Sequence, residues 1–221
     1  MNRLKNILFL FLILIGLSGC LEDYTEPESY YLDLAIMNHD GNNYLITTDA
    51  GVKLKTESLP VEMEFDDNVR VNIRYKLLNP VDTSQGFSYW IYVDEIGEVL
   101  TKEIITIDDE NRDSLGSAPV KFYDVWITQD FLTVYFSFYA GTETHYFNLT
   151  FDDKEQADND TIQLTFRHDD NDDTARQFYN GYITFKLNTL RNPEKSEVVI
   201  NFRGKEYDNV DYLQEGLFYT Y

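Results

Sequence analysis

The strictest pattern in the sequence is the alternation of apolar and polar residues over residues 69–76, Val-Arg-Val-Asn-Ile-Arg-Tyr-Lys. Successive side chains of a β-strand point to opposite faces, so a period of two predicts a strand with one buried and one solvated face. On this interpretation Arg70, Asn72, Arg74 and Lys76 face solvent. Short runs of the same kind recur along the chain between turns of Asp, Asn and Gly, and a helical period is missing. The chain is therefore predicted to be all-β.

The first half of the chain carries five predicted strands. Asp40-Gly41 lies between two apolar runs, residues 30–37 and 43–48, which is a hairpin signal because glycine supplies the positive φ of a tight turn. Residues 69–76, 87–95 and 99–107 supply the other three strands. Five strands in so short a stretch predict a small closed barrel over residues 30–110.

Residues 111–119 have the composition of a linker and are predicted to separate the barrel from a second domain. Beyond them, six short strands with turns of Asp, Asn and Gly predict an antiparallel β-sandwich over residues 120–206. Residues 207–221 form an aromatic C-terminal tail that is expected to pack against the rest.

The N-terminus predicts where the protein works. Arg3 and Lys5 precede an apolar run that has the length of a secretory signal rather than of a membrane span. The run ends in Leu17-Ser18-Gly19-Cys20, which resembles a bacterial lipobox. Residues 1–19 are therefore predicted to be a lipoprotein signal peptide, Cys20 the lipidated residue, and residues 20–29 an acidic tether. An ordinary signal peptide with a chance cysteine is the alternative.

Charge and cysteine content exclude several classes of function. The formal net charge is -21, from 39 acidic and 18 basic residues, and nucleic-acid binding normally needs a basic surface. Cys20 is the only cysteine, so its lipidation leaves no thiol for a nucleophile, a zinc site or a disulfide. No cofactor and no catalytic residue is predicted.

Two histidines form the one predicted cluster of side chains that could bind a metal. If Phe151 lies opposite Ile162, period two places His145 opposite His168 on neighbouring strands. Asp169 or Asp170 would then complete a two-histidine, one-carboxylate metal set. A histidine at a strand end can equally bond a backbone carbonyl, and we predict no metal, with His145, His168 and Asp169 as the candidates should one bind.

The sequence resembles the NigD-like lipoproteins. The segments that carry the resemblance are the lipobox and residues 44–54, 69–71 with Tyr75, 99–102, 126–127, 145–149 and 164–169. The resemblance implies an oligonucleotide/oligosaccharide-binding-type (OB) barrel followed by a β-sandwich, and it implies no established activity. The family is named after an operon linked to bacteriocin production. Its lineage also implies O-glycosylation at Asp-Ser/Thr motifs, here at Ser114, Thr161 and Thr174.

These observations predict a lipoprotein in the outer membrane of a Gram-negative bacterium, on the periplasmic face or the cell surface. Its expected role is non-enzymatic binding of a glycan or a protein partner. Tyr135, Tyr139 and Tyr146 are out of phase with the core residues of their strands, and they are expected to share the outer face of the sandwich. A bacteriocin-immunity or inhibitor lipoprotein is the alternative.

Overall fold

A computed structural model describes residues 29–60, 65–112, 114–156, 161–174 and 177–221. The predicted signal peptide, Cys20 and all but the last residue of the tether lie outside the described residues. Residues 31–221 form one compact unit. Among the described residues, no helix has the length and apolarity needed to cross a membrane.

The described chain is all-β, as predicted, with a closed five-stranded barrel followed by two facing sheets. The strands are β1 Tyr31–Asp40, β2 Asn43–Thr48, β3 Lys53–Thr56, β4 Val69–Pro80, β5 Tyr89–Glu98, β6 Thr101–Glu103, β7 Ile105–Thr106, β8 Lys121–Thr128, β9 Phe131–Ala140, β10 Tyr146–Phe151, β11 Thr161–Asp169, β12 Gln177–Lys186, β13 Glu197–Lys205 and β14 Asp211–Thr220.

The barrel has the strand order β1-β2-β3-β5-β4, closed by the pairing of β1 with β4. This is the arrangement of an OB barrel. The predicted hairpin is present, with Gly41 at φ 66° between β1 and β2. Val71, Ile73 and Tyr75 of β4 point inward to the barrel core, as the alternating pattern predicts.

The barrel includes β3, and the prediction that residues 99–107 supply its fifth strand is wrong. The chain leaves the barrel at the end of β5, Glu98. β6 pairs in parallel with β12 and β7 in parallel with β10, so both belong to the sandwich. Two short strands separated by a bend can belong to two different sheets. The apolar residues of the segment do not indicate which sheet each strand joins. Residues 111–119 accordingly lie between sandwich strands.

The sandwich consists of sheet β6-β12-β9-β8 facing sheet β14-β13-β11-β10-β7. Its core is rich in phenylalanine, with Phe122, Phe136, Phe166 and Phe202 in edge-to-face contact across the two sheets. Most pairings are antiparallel, but β11 and β13 are parallel because β12 crosses to the other sheet between them. The predicted tail, residues 207–221, is not a tail, since most of it forms β14, which pairs with β13.

Arg70 joins the barrel to the sandwich and is completely buried, with no exposed surface. The predicted solvent exposure of this residue is therefore wrong. Its guanidinium donates to both carboxylate oxygens of Asp49, at 2.5 and 2.9 Å, and to the Thr133 hydroxyl at 3.1 Å. The Trp126 indole N–H donates to the same carboxylate at 2.8 Å. The outward side of β4 is thus solvated at Asn72 but covered by β8 and β9 at Arg70.

Candidate functional site

The outer face of sheet β6-β12-β9-β8 is covered by the barrel at one end and lined with exposed aromatic side chains beyond it. Three tyrosines form a row across β8, β9 and β12, namely Tyr123, Tyr135 and Tyr182, which we call the tyrosine row. Tyr135 and Tyr182 are direct partners in the β9–β12 register. Tyr123 and Tyr182 keep 48% and 40% of their surface exposed. A row this exposed contributes little to the core and is available for contact.

The rings of the tyrosine row stand on edge. Their centroids are 4.9 Å apart for Tyr123–Tyr135 and 4.7 Å apart for Tyr135–Tyr182, with interplanar angles of 36° and 24°. These separations equal the spacing of neighbouring strands, so each ring turns its face to the next ring and its edge to solvent. Burial, reinforced by the neighbouring Tyr135, raises the pKa of Tyr182. The surface therefore presents ring edges and phenol hydroxyls.

Polar groups around the row hold it in place. The Ser137 hydroxyl donates to the Tyr123 hydroxyl at 2.9 Å, and the Asn180 amide donates to the Tyr135 hydroxyl at 3.3 Å. Each phenol retains its own hydrogen for an incoming acceptor.

A second aromatic group lies at the far end of the same strands, where Tyr139 contacts Phe178 at 5.0 Å and Tyr207 at 5.5 Å between ring centroids.

The tyrosines predicted from the sequence are only partly brought together. Tyr135 and Tyr139 share the outer face of β9, as expected. Tyr146 does not join them, because it starts β10 in the opposite sheet. The sequence could have indicated Tyr182, since this residue is out of phase with the core residues Ile183 and Phe185 of the same strand. It could not have indicated Tyr123, because a bulge between Phe122 and Asp124 breaks the period of two in β8.

His145 and His168 do meet, as predicted, but through a different register. Phe151 lies opposite Leu164 rather than Ile162, so the predicted pairing is wrong by two residues. His168 therefore pairs with Phe147, and His145, just before β10, reaches it diagonally. His145 Nδ1 and His168 Nε2 are 2.8 Å apart, and the rings stack with centroids 5.0 Å apart. A register shift of two residues keeps both side chains on the same face of the sheet. The two histidines are therefore in contact although the predicted register is wrong.

The carboxylate beside the pair is Asp173, so the prediction of Asp169 or Asp170 as the third member is wrong. His145 Nε2 donates to Asp173 Oδ2 at 3.2 Å, and the Gly141 N–H donates to the same oxygen at 2.7 Å. Asp169 instead accepts from the Asn171 N–H and shapes the turn. Asp173 binds the nitrogen of His145 that points away from His168, so it orients that ring rather than completing a set of ligands between the rings. Within the described residues, no group of three His, Cys, Asp or Glu side chains is arranged to hold a metal ion.

His168 is held neutral. It is 3% exposed, and burial, followed by the adjacent His145, lowers its pKa to about 4. His145 thus contacts Asp173 through Nε2 and His168 through Nδ1. The other His168 nitrogen, Nδ1, is buried without a hydrogen-bond partner among the described residues. Phe147 stacks on His168 at 4.6 Å between centroids, and these neighbours supply no nucleophile. The cluster is a buried polar link between strands.

The three candidate glycosylation residues differ in position. Ser114 and Thr174 are exposed and lie outside strands, whereas Thr161 is the half-buried first residue of β11 and pairs with Val199. Modification at these residues stays a prediction.

Comparison with protein families identifies the sandwich half of the chain. Residues 103–214 match the model of the NigD-like C-terminal beta sandwich domain, which spans half of the chain and begins where the strands leave the barrel. This chain belongs to the NigD-like family. No protein with a curated description matches it in sequence.

Solved structures share the NigD-like fold over nearly the whole chain. A protein of unknown function from Bacteroides vulgatus is 21% identical, with a TM-score of 0.72, over 87% of this chain and 91% of that one. A NigD-like immunity protein from Bacteroides caccae is 18% identical, with a TM-score of 0.65, over 89% and 99%. A protein from Bacteroides fragilis that is described as a putative lipoprotein is 12% identical, with a TM-score of 0.58, over 85% and 97%. None of these descriptions names a catalytic activity.

Proposed function

We propose that this NigD-like protein is a membrane-anchored binding module without catalytic activity, whose partner is a glycan or a protein. The observation that carries the proposal is the tyrosine row, an ordered and exposed aromatic surface that the core does not need. Tyrosine supplies a large contact area at low entropic cost and is enriched in binding surfaces.

The orientation of the rings favours a protein over a glycan. A sugar ring stacks on an aromatic face, but the facing sides of Tyr123, Tyr135 and Tyr182 are occupied by one another. Ring edges and phenol hydroxyls suit contacts with backbone carbonyls and with side chains of a partner. The net charge of -21 adds an attraction for a basic partner surface.

Membrane anchoring rests on the sequence of the N-terminus. Residues 17–20 have the lipobox pattern, and the Bacteroides fragilis protein with this fold is described as a putative lipoprotein. A multiply acylated Cys20 would give stable membrane attachment, since two acyl chains already suffice for it. The proposed location is the outer membrane, with the body facing either the periplasm or the outside.

The binding proposal is tested by glycan arrays and by pull-downs from the membrane fraction of the producing cells, using the chain from Leu21 onward. The expected result is capture of a discrete protein that the variant Tyr182→Ser loses. The matched control is Tyr92→Ser, which removes a comparably exposed tyrosine, 51% accessible, from the barrel surface. Empty arrays and empty pull-downs with the folded protein would contradict the proposal, and glycan binding that survives Tyr182→Ser would place the site elsewhere.

A bacteriocin-immunity or inhibitor lipoprotein is the second candidate. The observation that favours it is the shared fold with the immunity protein from Bacteroides caccae, together with the acidic charge, which suits a basic toxin. Deletion of the gene should then increase sensitivity to a bacteriocin of the same or a neighbouring strain. Unchanged sensitivity across such a panel would remove this candidate and leave the binding module.

A further inference from the structure

The outer face of the second sheet carries basic side chains in a chain that is otherwise strongly acidic. Arg203 and Lys205 of β13 lie on this face, opposite the inward-facing Phe202 and Gly204. Thr165 of β11 is the parallel partner of Arg203. Beyond this pair residues 118–120 run between the two strands, since the Ala118 N–H donates to the His168 carbonyl and the Val120 N–H donates to the Lys205 carbonyl. Arg167, near the end of β11, lies on the same outer face. The outer face of this sheet therefore carries three cations around the ends of β11 and β13.

These cations line a cleft of about 300 Å³, which is at the lower end of the size range of small-molecule sites. Thr165 and Ser117 contribute hydroxyls to the lining, and Glu155 and Asp211 contribute carboxylates. The cleft is on the sheet opposite to the tyrosine row, so the two surfaces are independent.

The carboxylates do not neutralise the cations fully. Glu155 is engaged by Arg203, whose Nε also donates to the Thr165 hydroxyl at 2.8 Å. Asp211 is the strand partner of Lys205, yet within the described residues no ion pair joins their side chains. Arg167 has a buried Nε with no hydrogen-bond partner in the described part of the chain. The described protein groups therefore do not satisfy Arg167 fully, and the outer nitrogens of its guanidinium are the part that a solute in the cleft can reach.

We propose that this cleft binds a small polar solute through an oxyanion group, which is a carboxylate or a phosphate. Arg167 and Lys205 are the residues that bind this group. The planar guanidinium of Arg167 gives directed hydrogen bonds, and the Lys205 ammonium gives a point charge beside it. Arg203 stays paired with Glu155 and closes one side of the cleft. The Thr165 hydroxyl accepts from Arg203 and donates to Glu155, so the Ser117 hydroxyl in the lining is the one left to contact neutral parts of the solute.

The test uses NMR of the folded chain from Leu21 onward, with the arginine Nε–H signals as the readout. Glucuronate and inorganic phosphate are the probes, and glucose is the neutral control. The expected result is a saturable shift of the Arg167 Nε–H signal with at least one anion and none with glucose. Arg167→Gln and Lys205→Gln should each weaken the affinity by at least about tenfold, a change typical of losing one charged hydrogen bond. Whichever probe binds identifies the oxyanion.

The matched control is Arg74→Gln, which removes a surface arginine paired with Asp94 and should leave anion binding unchanged. Absence of a saturable shift with both anions would overturn the proposal, as would equal weakening by Arg74→Gln. Stability gives a second readout. If Arg167 serves to bind a ligand, Arg167→Met should raise the urea midpoint of the ligand-free protein. If Arg167 serves only to stabilise the fold, the same substitution should lower that midpoint.

Discussion

The junction between barrel and sandwich depends on one buried ion pair, and Arg70→Met is the change that tests it. Arg70 is fully buried, and its partner Asp49 is 19% exposed at the side chain. Removing one member of a buried pair typically costs about 3–5 kcal/mol, because the other charge is left uncompensated. Here Trp126 still donates to Asp49, so the lower end, about 3 kcal/mol, is expected.

Urea unfolding measures this cost, and the two tryptophans report on both parts of the molecule. Trp90 lies in the barrel strand β5, and Trp126 lies at the junction on β8. With a urea dependence of about 2–3 kcal/mol per molar, the midpoint should fall by about 1 M or more. Arg74→Met on the same strand is the control, because its ion pairs are exposed and worth at most about 1 kcal/mol.

Adding Asp49→Ala to Arg70→Met should cost much less than the sum of the two single changes, because the double variant leaves no charge buried without a partner. Strictly additive costs, or equal midpoints for the Arg70 and Arg74 variants, would refute the claim that this pair holds the two parts together.

Three further changes have definite expected outcomes. Gly116→Ala should destabilise the fold by about 2 kcal/mol or more in urea unfolding, since Gly116 has φ +70° and an added Cβ would lie 2.5 Å from the Asp169 Cα; an unchanged midpoint would contradict the geometry. His168 has its folded pKa lowered to about 4, so the unfolded chain binds the proton first, and stability should fall by an amount on the order of 3 kcal/mol as pH drops from 6.5 to 4. His168→Gln should lose that pH dependence, which unfolding curves at several pH values would show, whereas His39→Gln at the exposed end of β1 should keep it. Cys20→Ala should release the protein from membranes or leave it unprocessed in cell fractionation, and membrane retention of a correctly cleaved variant would overturn the anchor.

Local patterns predicted the fold class because period two and turn residues act over short distances. The β1–β2 hairpin and the inward face of β4 follow directly from Asp40-Gly41 and from the alternation in residues 69–76. The alternation wrongly predicts a solvent-facing Arg70, because it identifies a face of the strand but not what covers that face. Only the packing of β8 and β9 against the barrel makes that position an interior one.

The histidine pair shows the same division between local and long-range information. Alternation placed His145 and His168 on facing sides correctly, but the register depends on the loop between β10 and β11, whose length in residues does not determine its path. Asp173 was missed because it approaches His145 from a turn beyond β11. Likewise, the pairing of β6 with β12 joins residues far apart in the chain, and a sequence pattern carries no such information.

Photo-crosslinking from position 182 in living cells tests the proposed function most directly. A photoreactive phenylalanine analogue replaces Tyr182 in one strain and Tyr92, on the barrel, in another. Because the tyrosine row is proposed to contact a protein, position 182 should give one discrete protein adduct that Tyr123→Ser reduces, and position 92 should not give it. The same adducts from both positions, or none from position 182 in a folded, membrane-bound protein, would contradict the proposed role of this surface.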